Sequence, residues 1–128
     1  MSDGLADTSL FTQATRGTRL RAAGLPDRLA ISTITLGELR AALLIPADLT
    51  VQDRRLAIYL AAARMDAIPI DAEVASAWAR LRAELHQQRR SMRVNSSWIA
   101  ATAIALGVPV VSHGYEYAGV PGLEVISV

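Results

Sequence analysis

The stretch Leu5-Ala6-Asp7-Thr8-Ser9 runs from two apolar residues straight into a carboxylate and two hydroxyls. That order predicts a short strand ending in a polar turn, with Leu10 to Ala14 opening a helix before Gly17 and Gly24-Leu25-Pro26 break the pattern. The same signals return downstream. Leu29-Ala30-Ile31 is a second apolar run, and Ser32 or Thr33 can cap the helix after it. In that helix Ile34, Leu36, Leu39, Leu43 and Leu44 fall near one face, Glu38 lies beside them within the first two turns, and Pro46 stops it.

Further along, Val51 to Met65 reads as an amphipathic helix with Val51, Leu56, Tyr59, Leu60 and Ala63 as its core face and Asp53, Arg54 and Arg55 outward. Ala67-Ile68-Pro69-Ile70 suggests a strand, and Asp71 begins a helix running through Trp78, Leu81 and Leu85 to about Gln88. Asn95 is placed to cap a helix over Trp98 to Leu106, which Gly107 ends. Val108 to Val111 and Leu123 to Val128 read as strands. Strands alternating with helices predict an α/β fold, a central parallel sheet of about four or five strands flanked by helices. In such a sheet the functional crevice lies beyond the carboxyl ends of the strands. That rule selects Asp7, the segment after Ile31, and Ser112 to Tyr117.

Composition sets outer limits. The 128 residues suit a single domain over 1–128, with no internal repeat or linker, and 52% hydrophobic content supplies a core. The absence of cysteine excludes disulfides and thiolate metal sites. All 13 basic residues are arginine, which closes lysine chemistry such as P-loop phosphate binding and Schiff-base formation. The net charge of +1 does not decide between partners, so charge placement must. No basic start followed by an apolar run marks a signal peptide, and no stretch approaches a membrane span of roughly 20 apolar residues. The expectation is a soluble, cytoplasmic protein with no membrane partner.

If the sheet is parallel, Asp7, Glu38 and Glu116 converge on one edge. Carboxylates brought together repel by roughly 4 kcal/mol per pair at 4 Å and an effective dielectric near 20, so a divalent cation is the natural occupant. Oxygen ligands without cysteine or histidine favour Mg²⁺ or Mn²⁺. The alternatives stay open at this point: Asp7 with Thr8 and Ser9 as a helix cap, Glu38 as a solvated helix residue, Glu116 as a loop residue.

Leu5-Ala6-Asp7-Thr8-Ser9 resembles the opening strand of PIN domains, which ends in Asp-Thr-Ser. Ile31 to Leu39 resembles their second signature, Arg93-Val94-Asn95-Ser96-Ser97-Trp98-Ile99-Ala100-Ala101-Thr102-Ala103 the third, and Val110 to Tyr117 the fourth. The motifs follow in order through nearly the whole chain, and the resemblance is greatest to VapC-type toxins. It implies a PIN-like three-layer fold and a Mg²⁺- or Mn²⁺-dependent endoribonuclease, the toxin of a type II toxin–antitoxin system. It also implies a VapB-type antitoxin as partner, RNA as substrate and a homodimer. Asp7 and Glu38 match the family's acidic set, and Glu116 stands where the family often has aspartate. The chain departs at two positions, with Ser96 and Gly114 where aspartates are expected. A second expectation follows: a catalytically degenerate PIN domain that binds an antitoxin-like partner or RNA without cleaving it.

Thr8, Ser9, Asn95 and Ser96 are candidates to orient water or ligands, with helix capping the plain alternative. His113 is a candidate base or replacement ligand. Arg89, Arg90 and Arg93 form the densest basic cluster and suit RNA phosphate, with a solvated loop as the alternative. Arg16, Arg19 and Arg21 are a looser second cluster. Trp78 and Trp98, at helical spacing, read as core.

Overall fold

The protein is described from a computed structural model, over residues 1–17 and 24–128. Arg19 and Arg21 of the second basic cluster lie outside the described residues. Four strands, β1 (Asp3–Ala6), β2 (Arg28–Ala30), β3 (Val110–Ser112) and β4 (Val125–Ser127), form one sheet in the order β2-β1-β3-β4. Every pairing is parallel, with Leu5 opposite Ala30 on one side and Val110 on the other. The expected strand at Ala67–Ile70 is reduced to one parallel bridge, Ser32 with Ile68, which extends the sheet beside β2. Pro69 lacks an N–H and cannot continue a ladder, so pairing stops there.

Five helices complete the described fold: α1 (Thr8–Thr15), α2 (Thr33–Leu43), α3 (Leu49–Ala63), α4 (Ala72–Gln87) and α5 (Val94–Leu106). Successive strand residues face opposite sides, and β1 shows the consequence. Leu5 packs with Leu81, Leu85 and Ile99 of α4 and α5. Its neighbour Ala6 packs with Leu39 and Ala62 of α2 and α3, with Leu10 and Phe11 of α1 beside them. The sheet is therefore the middle of three layers, as expected. Gly4 is required by close approach: a Cβ there would stand 2.7 Å from Pro26 Cγ and 3.2 Å from Val111 Cγ2.

The helix starts follow the sequence signals. Asp7, Ser32, Asp48 and Asp71 each accept a hydrogen bond from a backbone N–H of the helix they precede, which satisfies one of the donors that a helix start leaves unpaired. Two readings change. In α3 the packed residues are Ile58, Tyr59 and Ala62, while Leu56, Leu60 and Ala63 are exposed. Arg55 turns back to donate to the carbonyls of Ala42 and Ile45 at 3.2 Å each, so it satisfies the end of α2 instead of pointing outward. The second change is at α5, which begins at Val94 with Arg93 in the capping position and no side-chain cap. Asn95 is an exposed residue of the first turn and caps nothing. Trp78 and Trp98 stack on one another at 4.3 Å between centroids, between α4 and α5, as a core pair should. None of the described helices is long and apolar enough to cross a membrane.

Candidate functional site

The carboxyl edge of the sheet opens into a pocket of about 230 Å³ lined by Asp7, Thr8, Ser9, Thr12, Gln13, Glu38, Arg93, Ser96 and Glu116. Each chain crossing contributes for a local reason. Asp7 ends β1 and caps α1, accepting from Ser9 N at 3.1 Å. Its capping role and its place in the pocket are therefore the same fact. The helix start that needs an acceptor fixes the carboxylate at the sheet edge, where it is 4% exposed. Thr8 opens α1, and its hydroxyl donates to Glu38 Oε1 at 2.8 Å while lying 2.9 Å from the Thr35 hydroxyl. With the Thr8 proton committed to the carboxylate, Thr35 is the donor in the second bond. Ser32 caps α2 and so sets the phase that turns Glu38 to the pocket.

The fourth side is built by α5 and the loop after β3. Ser96, buried in the first turn of α5, donates its hydroxyl to Glu116 Oε1. Arg93 reaches over the same pocket, its guanidinium 4.0 Å from Glu38 Oε2 and 3.8 Å from Glu116 Oε1. Asp7, Glu38 and Glu116 thus share one pocket, as the strand-end rule suggested, together with Thr8, Ser9 and Ser96. Asn95 is not among the lining residues.

The remaining candidates are placed elsewhere. His113 and Gly114 line a separate pocket with Tyr115, Ser127 and Val128. The His113 Nδ1 lies 2.8 Å from the carbonyl of Val128, a hydrogen bond that occupies one ring nitrogen. Gly114 has φ +107, and a Cβ there would meet nothing within 4 Å. A side chain at 114 would be strained and would start outside the acidic pocket. Within the arginine cluster, Arg89 is exposed, Arg90 donates to the carbonyl of Ala118 at 2.7 Å, and Arg93 faces the glutamates.

Tyr117 is the residue the sequence did not single out. It is 1% exposed, and its hydroxyl donates to Asp7 Oδ1 at 2.6 Å. Burial first, then the Asp7 charge and the bond to it, push the phenol far above its ordinary range, so Tyr117 stays a donor at neutral pH. Its only sequence cue is an aromatic ring next to Glu116 in a polar loop. The raised value has a measurable sign. Below the ordinary phenol value near 10 the contribution is fully present, and it falls as pH rises further, because the unfolded chain then releases a proton that the folded chain keeps. The chain has no lysine or cysteine to confuse that range. Urea-unfolding stability is expected to fall above pH 10 by about 1.4 kcal/mol per unit, and Tyr117→Phe to remove that slope. An unchanged slope in the variant contradicts a buried, un-ionised Tyr117 beside Asp7.

The donor set is all oxygen and suits a hard divalent cation. Among the described residues, no three Asp, Glu or His side chains stand close enough to hold one ion directly. Such an ion fits if one or two carboxylates bind it and water completes its shell, the usual habit of Mg²⁺.

The PIN-domain family model matches residues 5–123, and the chain belongs to that family. Two VapC ribonucleases of Mycobacterium tuberculosis are similar to it over almost their whole length. VapC5 is 36% identical over 125 residues, covering 98% of this chain and 93% of the relative. VapC4 is 40% identical over 131 residues, covering 97% and 95%. Among solved structures, the VapBC-5 toxin–antitoxin member from M. tuberculosis superposes with a TM-score of 0.90 at 35% identity, covering 100% of both chains. VapBC2 from Rickettsia felis, with a TM-score of 0.81, 23% identity and 98% of both chains covered, shares the fold. PIN-domain ribonucleases as a class depend on a metal ion.

Proposed function

We propose that this chain, one PIN domain over residues 1–128, is a metal-dependent endoribonuclease and the toxin of a type II toxin–antitoxin pair. The observation that carries the reading is the convergence of Asp7, Glu38 and Glu116 on one open pocket at the carboxyl edge of a parallel sheet. The VapC ribonucleases similar to it support the reaction class, and the VapBC-5 toxin–antitoxin structure supports a VapB-type antitoxin as partner. Such a pair works in the cytoplasm, and the chain acts as a homodimer.

Asp7, Glu38 and Glu116 would hold Mg²⁺ or Mn²⁺, one or two of them directly and the rest through water. When bound, the ion makes a water acidic and offsets charge on the phosphate during in-line attack. Asp7 keeps a fixed direction through Ser9 N and the Tyr117 hydroxyl. Thr8 orients Glu38, and Ser96 orients Glu116. Arg89, exposed at the surface, contacts the RNA backbone, where phosphate contacts position without reading sequence. Exposed Leu44, Ile45, Leu49, Leu56 and Leu60 leave apolar surface uncovered on α3 and the end of α2, which favours a protein partner.

Ser96 in place of a carboxylate, and Arg93 beside two others, favour a second reading: a domain that binds antitoxin or RNA without cleaving. Incubation with structured RNA and Mn²⁺ or Mg²⁺ separates the two. The enzyme yields internal fragments that disappear with EDTA, whereas the binder yields none but still retains its partner.

A further inference from the structure

Arg93 occupies the capping position of α5, yet it makes no capping bond. A cation there sits at the positive end of the helix dipole, which works against it. What draws the guanidinium inward is the pair Glu38 and Glu116, at 4.0 and 3.8 Å. Ser96, one turn along, is neutral, so among the described residues Arg93 is the only positive side chain lining a pocket that holds three carboxylates. Its side chain remains 73% exposed, so little packing holds it there and an exposed pair of this kind is weak. A divalent cation seeking the same two carboxylates meets a like charge at contact distance.

We infer that Arg93 is the internal counter-ion of the acidic pocket: it yields its seat between Glu38 and Glu116 to a divalent cation and then takes an RNA phosphate. The inference rests on the metal-dependent reading above and adds an exchange of partners by one side chain. Without metal, the guanidinium relieves repulsion between the two glutamates. With metal bound, repulsion turns it outward, where a planar fork of donors suits a phosphate better than water does. Metal loading and backbone contact are then linked through one residue.

The test compares the full-length parent with Arg93→Gln and Arg93→Lys by calorimetric Mn²⁺ titration and thermal unfolding. Removing the competing charge is expected to tighten Mn²⁺ binding about tenfold in Arg93→Gln. That variant should melt below the parent in EDTA, and the gap should close at saturating Mn²⁺. Arg93→Lys, which keeps the charge, should bind Mn²⁺ like the parent. For the second half, a hairpin RNA with 2′-O-methyl groups resists cleavage. With Mn²⁺ it should bind Arg93→Gln more weakly than the parent, with a log–log salt slope shallower by about 1; in EDTA the two should bind alike. Equal or weaker Mn²⁺ binding by Arg93→Gln overturns the inference and leaves the nuclease reading standing. So does Arg93→Lys behaving like Arg93→Gln, or equal RNA affinity of parent and Arg93→Gln in Mn²⁺. If no form binds Mn²⁺ at all, the inference falls together with the metal-dependent reading.

Discussion

Asp7→Asn is expected to lower the rate of RNA cleavage by at least about 10²-fold, near 2.7 kcal/mol of transition-state stabilisation, while leaving the fold almost as stable as before. The substitution is selective because asparagine keeps the shape and the acceptor. Asn caps a helix as well as Asp does, so the bond from Ser9 N survives, and an amide oxygen still accepts from Tyr117. What disappears is the negative charge at the most enclosed carboxylate of the pocket, 4% exposed. A cation bound through only one or two carboxylates with water completing its shell has few charges to lose, and the loss should appear both in cleavage and in Mn²⁺ binding. Far-ultraviolet circular dichroism and a urea midpoint beside the kinetics complete the check. A variant that folds normally and cleaves at the parental rate removes Asp7 from the chemistry.

The second large effect concerns the scaffold. Leu5→Ala should cost about 2–5 kcal/mol, against a total stability of roughly 5–15 kcal/mol for a domain. Leu5 lies in β1, paired on both sides, fully buried against Leu81, Leu85, Ile99, Val110 and Tyr117. Its removal opens a cavity between the sheet and two helices that the paired backbone cannot collapse to fill. The melting temperature is expected to drop on the order of 10 °C. Leu60→Ala, at an exposed position of α3, should change stability by no more than about 0.5 kcal/mol. Equal losses at the two positions would overturn the assignment of the inner and outer faces.

Much of this was legible because strand ends and helix starts leave short-range marks. Leu5-Ala6 before Asp7, and Ile31 before Ser32, announce both the parallel sheet and the caps that deliver Asp7 and Glu38 to its edge. The packed face of α3 was not legible in the same way. Apolar residues surround that helix, with Leu56, Ala57, Ile58, Tyr59, Leu60 and three alanines in succession. Periodicity cannot choose among them, and contact with α1 and α2 does. The start of α5 was misplaced for a related reason. Ser96 and Ser97 look like a polar approach to a helix, but both are buried inside its first turn, where their hydroxyls find Glu116 and the carbonyl of Val94. Tyr117 and Arg93 acquire their roles only in three dimensions. One hydroxyl meets a carboxylate 110 residues away, and the guanidinium meets one glutamate from α2 and another from the loop after β3.

The departures at 96 and 114 also separate in the structure. Ser96 lines the acidic pocket, whereas Gly114 lies in another pocket with a backbone that disfavours any side chain. Only the first bears on whether three carboxylates suffice. The most direct measurement is therefore Mn²⁺-dependent cleavage of structured RNA by the parent beside Ser96→Asp, each with an EDTA control. Internal cleavage by the parent that EDTA abolishes, and that Ser96→Asp at most accelerates, is the expected result. Cleavage by Ser96→Asp alone contradicts it and leaves the chain as a PIN scaffold whose work is binding.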